Sequence, residues 1–145
     1  LLQAMETLQG QQTSGACSIS QHAALAALNG PQDFVRETRA VFERRRDRVI
    51  ELINATPGLH CPKPGGAFYA YFSCEPLIGK HSAAGTALTC DGDVALALLD
   101  EAGLAMVQGS AFGLGPYIRL AYALDDASLI QACQALDHFC RSTHQ

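Results

Sequence analysis

The sequence has no C-x-x-C pair and only two lysines, and no apolar run in it approaches the roughly 18 to 20 residues of a membrane span. Each absence removes a class of function. The six cysteines, at positions 17, 61, 74, 90, 133 and 140, have no histidine at finger spacing, so they encode neither a zinc site nor a local redox pair. They read as reduced, mostly buried thiols. No basic segment leads into an apolar signal core, so no membrane partner is expected and the chain reads as cytoplasmic. A net charge of −4 gives no electrostatic reason to expect nucleic acid. His22, His60, His81, His138 and His144 are scattered without an acid or cysteine partner at motif spacing, so no catalytic triad is expected.

What is present suits a globular domain. Hydrophobic residues make up 48% of the 145 and charged residues 17%, enough to bury a core without disulfides. The first ten residues resemble the end of a helix, with Leu2, Met5 and Leu8 at helical spacing and Gly10 as a stop. A domain rarely starts inside a helix, and the chain opens on Leu1 rather than Met, so it is expected to be part of a longer polypeptide. Ser18 and Gln21 form a capping-box pattern for a short helix over residues 20–28. Asn29-Gly30 ends it, and Pro31 opens a long amphipathic helix to about residue 54. The arginines of that helix lie within reach of Glu37, Glu43, Asp47 and Glu51, which makes a solvated face rather than a nucleic-acid surface.

Beyond Pro57-Gly58, the aromatic alternation of residues 67–74 predicts a strand. Residues 75–92 form a long polar loop. Asp91 or Asp93 caps a helix ending at Gly103. Strands follow at 104–108 and 117–123, antiparallel across the glycine-rich loop 109–116, and Asp125 or Asp126 starts a final helix with one apolar face. This order, without regular βαβ alternation, predicts an α+β fold: a small mixed or antiparallel sheet with helices on one face, preceded by the long helix. The one architectural break is near Pro31, dividing residues 1–30 from a domain over 31–145.

Arg119 stands out as a candidate site residue. Alternation sends Ile118, Leu120 and Tyr122 to one face of a strand and Tyr117, Arg119 and Ala121 to the other. A planar guanidinium suits bidentate recognition of a carboxylate or phosphate, and equally suits a structural ion pair; the strand pattern leaves both open. Lys63, between two prolines, and Lys80, in the polar loop, read as surface lysines rather than Schiff-base catalysts.

The segments QQTSGACSISQHAALAAL (11–28), PGGAFYAYF (64–72) and GLAMVQGSAFGLGPYIRLAYA (103–123), in this order and spacing, resemble consecutive blocks of the aspartate aminotransferase family, the fold type I pyridoxal-phosphate-dependent class I/II enzymes. The resemblance covers essentially the whole chain. It implies that residues 31–145 are the C-terminal small domain and that residues 1–30 are the end of the large domain with an interdomain segment. Arg119 then matches the arginine that binds the substrate's α-carboxylate, and Phe68 the aromatic lining the substrate pocket. The implied parent transfers an amino group between an amino acid, aspartate or a related one, and a 2-oxo acid, as a homodimer. Pyridoxal 5'-phosphate and its Schiff-base lysine would belong to segments preceding Leu1, leaving this chain inactive alone, with no catalytic, cofactor-binding or metal-binding residue of its own. Thr13 and Ser14 resemble the stretch that reaches toward the neighbouring subunit, although Gly15-Ala16 stands where many members have Asn-Pro. Gln108 replaces a common proline. The rival readings are a stand-alone carboxylate-binding module and a dimerisation domain built on Leu2 to Leu8.

Overall fold

A computed structural model describes residues 1–145 and gives five α-helices and a three-stranded antiparallel sheet. The helices are α1 (Leu2–Gln12), α2 (Ser18–Asn29), α3 (Asp33–Ala55), α4 (Asp91–Ala102) and α5 (Asp126–Ser142). The strands are β1 (Tyr69–Ser73), β2 (Val107–Gln108) and β3 (Tyr117–Ala121), in the order β1-β3-β2. This is the expected α+β architecture, with a wholly antiparallel sheet. No helix is long and apolar enough to cross a membrane. By internal contacts the chain forms two compact units, Leu1–Thr38 and Arg39–Gln145.

The second unit carries the core. Alternation along β1 and β3 buries Ala70, Phe72, Ile118 and Leu120, and the helices add Val49, Ile53, Val94, Leu98, Leu129 and Leu136 to the same cluster. The opposite face of the sheet keeps Tyr69, Tyr71, Tyr117 and Arg119 half-exposed. Four of the six cysteines are buried, whereas Cys17 and Cys90 are exposed. Burial pushes the thiols of Cys74 and Cys140 up to about 12 and that of Cys133 to about 11.

The first unit contains no buried residue. Leu2, Leu8, Ile19, Leu28 and Phe34 are all more than half exposed. The side chain of Gln32 closes α2 by donating to the carbonyls of Ala27 at 2.9 Å and Gly30 at 3.0 Å. Gly10 does not stop α1, which runs two residues further. An exposed helical glycine costs about 1 kcal/mol relative to alanine but removes no backbone hydrogen bond. α2 begins earlier than its capping pattern suggests, with Cys17 at the N-cap and the Gln21 amide donating to the Ala16 carbonyl at 2.7 Å.

Other element limits shift for local reasons. β1 starts at Tyr69 rather than at residue 67 because Ala67 takes a positive φ of 61°, which breaks the extended run before Phe68. β2 shrinks to two residues because its predicted beginning serves the exit of α4. Gly103, at φ 66°, donates to the Leu99 carbonyl in a left-handed C-terminal closure, and Leu104 donates to that of Leu98. Cys90 takes the N-cap of α4, with the Asp93 carboxylate accepting from the backbone N–H groups of Thr89 and Cys90. The long loop contains a 3₁₀ turn at Glu75–Leu77. It is fastened by a bridge between His81 and His144 and by the buried Ser82 hydroxyl donating to Glu101 at 2.5 Å.

Two outcomes follow from this core. Leu98→Ala should cost about 2–5 kcal/mol in urea unfolding, whereas Leu96→Ala, on the exposed side of the same helix, should cost less than about 0.5 kcal/mol. Equal effects would contradict the placement of α4. A colorimetric thiol reagent should label Cys17 and Cys90 rapidly in the folded chain and all six cysteines only after denaturation; rapid labelling of Cys74 or Cys140 would contradict their burial.

Candidate functional site

The half-exposed face of the sheet is built by register. β1 and β3 pair so that Tyr71 lies opposite Arg119 and Tyr69 opposite Ala121, while β2 places Val107 on the other side of Arg119. Period-2 alternation therefore sets two tyrosines of β1 beside the guanidinium. The carbon at its centre lies 4.5 Å from the centroid of the Tyr69 ring and 4.2 Å from that of Phe112. Both distances are within cation–π range.

Six of the eight arginines sit within 4.0 Å of a carboxylate: Arg36, Arg39, Arg45, Arg46, Arg48 and Arg141. Arg119 does not. The ion-pair alternative left open by the strand pattern finds no acid here. The aromatic rings accept the cation electrostatically, but they leave the guanidinium's planar set of N–H donors without oxygen acceptors. Such a group is ready to take a carboxylate in its plane.

Phe112 reaches Arg119 from the loop between β2 and β3, and that loop is clamped at several points. Asp91, the first residue of α4, is 4% exposed; its Oδ2 accepts from the N–H of Ser110 at 2.8 Å and from that of Tyr117 at 3.4 Å. The Tyr71 hydroxyl lies 2.8 Å from the Leu114 carbonyl and 3.1 Å from that of Gly109. The Tyr71 and Tyr117 rings stack at 5.2 Å. Gly109 is obligatory in this packing, since a Cβ there would stand 2.5 Å from the Tyr71 hydroxyl and 2.6 Å from the Cβ of Tyr117. Burial opposes the charge on Asp91, but hydrogen bonds from Ser110, Tyr117 and Gly92 outweigh it and hold the carboxyl below its ordinary range.

Phe68 precedes β1 and is 41% exposed. Its ring lies 4.4 Å from that of Tyr69 and 6.4 Å from that of Phe42. It borders a cavity of about 450 Å³ shared with Arg39, Phe42, Arg46, Gly65, Gly66 and Tyr122. The structure thus brings the two sequence-predicted site residues together through one ring, in the order Phe68, Tyr69, Arg119. Lys63 is elsewhere, ion-paired with Asp47 at 2.9 Å, and Lys80 lies in the loop after the 3₁₀ turn, its backbone bonded to Leu77 and Leu88. No cluster of His, Cys, Asp or Glu is arranged to hold a metal ion.

Sequence reasoning missed Tyr69, Phe112 and the buried role of Asp91. Tyr69 was within reach, because it shares the parity of Tyr71 in the aromatic run. Phe112 and Asp91 carried no local signal: one lies in a glycine-rich loop, and the other resembled an ordinary helix cap.

The clamp has a pH signature. Because the folded-state carboxyl of Asp91 titrates below its unfolded value, its contribution to stability is complete above about pH 4 and is lost as pH falls through the folded value. The stability difference between the native chain and Asp91→Asn should therefore shrink as pH is lowered from about 5 to about 2. A difference that stays constant across denaturation curves in that window would contradict a charged Asp91.

The family described as "Aminotransferase class I and II" matches residues 1–136. A "Probable aspartate/prephenate aminotransferase" from Rhizobium leguminosarum bv. phaseoli is 50% identical over 140 residues, which are 97% of this chain and 35% of that protein. An "Aspartate/prephenate aminotransferase" from Cereibacter sphaeroides is 49% identical over the same shares of the two chains. The crystal structure of an aspartate aminotransferase from Rhizobium meliloti superposes with a TM-score of 0.91 at 43% identity, covering 98% of this chain and 36% of that one. The chain spans about a third of the length of these relatives. With its sheet, its unpaired strand arginine and its aromatic surround all set in that fold, this chain belongs to the class I and II aminotransferases.

Proposed function

We propose that the chain is the C-terminal small domain of an aminotransferase and that Arg119 holds the α-carboxylate of the amino acid and 2-oxo acid substrates. The observation that carries this reading is the guanidinium of Arg119, set over Tyr69 and Phe112 with no acid in reach. Two parallel N–H groups of a planar fork match the two oxygens of a carboxylate. Contact with the rings limits the swing of the long side chain, so less rotamer freedom is lost when a ligand binds. The Phe68 ring, 4.4 Å from that of Tyr69, supports a contact with the remainder of the substrate. The names of the relatives favour aspartate or a related dicarboxylic amino acid as donor.

The parent's cofactor in this reading is pyridoxal 5'-phosphate, which supplies the carbonyl that accepts and returns the amino group. The lysines of this chain do not fit that group: Lys63 is ion-paired with Asp47, and neither Lys63 nor Lys80 lines the cavity beside Phe68. The lysine that binds the cofactor is therefore assigned to the rest of the parent polypeptide, and this chain contributes orientation of the substrate. The domain division near Pro31 belongs to the same proposal, with residues 1–30 as the large-domain end and interdomain segment. The largely exposed apolar side chains of the first unit support covering by other parts of a homodimeric parent. Four thiols buried without a disulfide support a cytoplasmic setting.

In the full-length parent, Arg119→Lys should raise KM for both the amino acid and the 2-oxo acid about a hundredfold, because the charge remains but the bidentate pair is lost. Steady-state kinetics with each substrate varied will read this directly. Unchanged KM values would remove Arg119 from the carboxylate site.

A further inference from the structure

We infer that Asp91 is a positioning residue for carboxylate recognition, acting on Arg119 through the 109–117 loop and Phe112; the inference rests on the reading of Arg119 above. Asp91 does not touch the guanidinium as an ion-pair partner. Instead, one buried oxygen gathers the two ends of the loop, the N–H of Ser110 at 2.8 Å and that of Tyr117 at 3.4 Å. A third point of the loop passes over the same oxygen, since a Cβ on Gly115 would stand 3.1 Å from it.

The loop matters because of what it carries. Phe112 is 52% exposed, so burial does not fix its ring, and its place 4.2 Å from the Arg119 guanidinium depends on the loop backbone. Tyr71, whose Cα pairs with that of Arg119 across the sheet, fastens the same loop at Leu114. The network thus runs from Asp91 to the loop amides, from the loop to Phe112, and from Phe112 to Arg119. Asparagine at position 91 would offer neutral, weaker acceptance to those N–H groups and release the loop.

The test uses full-length enzyme. Asp91→Asn should raise KM for the amino acid and the 2-oxo acid about tenfold while kcat stays within about twofold, the pattern of a lost binding contribution shared by ground and transition states. Phe112→Ala should have a similar effect, and the double variant should be no worse than either single variant, because both act through one path. Gly115→Ala, which crowds the carboxylate without removing it, should give a milder KM rise and serves where Asp91→Asn does not fold. Unchanged KM in Asp91→Asn or Gly115→Ala, or multiplied effects of the Asp91 and Phe112 variants, overturns the inference. If Arg119→Lys also leaves KM unchanged, the carboxylate reading itself falls; if Arg119→Lys raises KM, only the role of Asp91 is lost.

Discussion

A guanidinium with no acid beside it is the constraint around which the half-exposed face of the sheet is organised. Such a charge is tolerated because it lies half-exposed on a sheet face and over two aromatic rings, Tyr69 and Phe112. Its position requires the register of the sheet: Tyr71 opposite Arg119 on one side and Val107 on the other. A slip of one residue would send Arg119 into the cluster of Phe72, Ile118 and Leu120 and turn Ile118 outward. The hydrophobic core therefore does more than stabilise the unit, because it determines which face the arginine occupies.

The loop between β2 and β3 shows how a segment poor in apolar contacts is nevertheless held. Its fixing comes from a buried carboxylate, a tyrosine hydroxyl and a glycine with no room for a side chain. Backbone amides bonded to a charged oxygen are among the stronger restraints available. The first 38 residues are the opposite case. They form helices by local hydrogen bonding yet leave Leu2, Leu8, Ile19, Leu28 and Phe34 exposed.

Helices and core-facing strands were legible because their periodicity reports burial directly. The alternation at Tyr117 to Tyr122 gave both the buried set and the outward arginine, and the spacing from Leu129 to Cys140 gave the buried stripe of α5. Limits that depend on single hydrogen bonds were not legible. The exit of α4 through Leu104, the left-handed Ala67 before β1, and the choice of Cys90 over Asp91 as a cap each turn on a local geometry that composition does not encode. Residue types marked Arg119 as a candidate, but its two rings come from segments 50 and 7 residues away in sequence, Tyr69 and Phe112, and only the folded chain joins them. The buried role of Asp91 was hidden for the same reason, since its partners lie 19 and 26 residues downstream.

The most direct measurement is a crystal structure of the full-length parent with a bound dicarboxylic amino-acid analogue. The account predicts both oxygens of the analogue's α-carboxylate within about 2.7–2.9 Å of the Arg119 guanidinium nitrogens, with Tyr69 and Phe112 still against that group. An α-carboxylate held by a different residue, with Arg119 paired to a protein acid in the assembled enzyme, would contradict it.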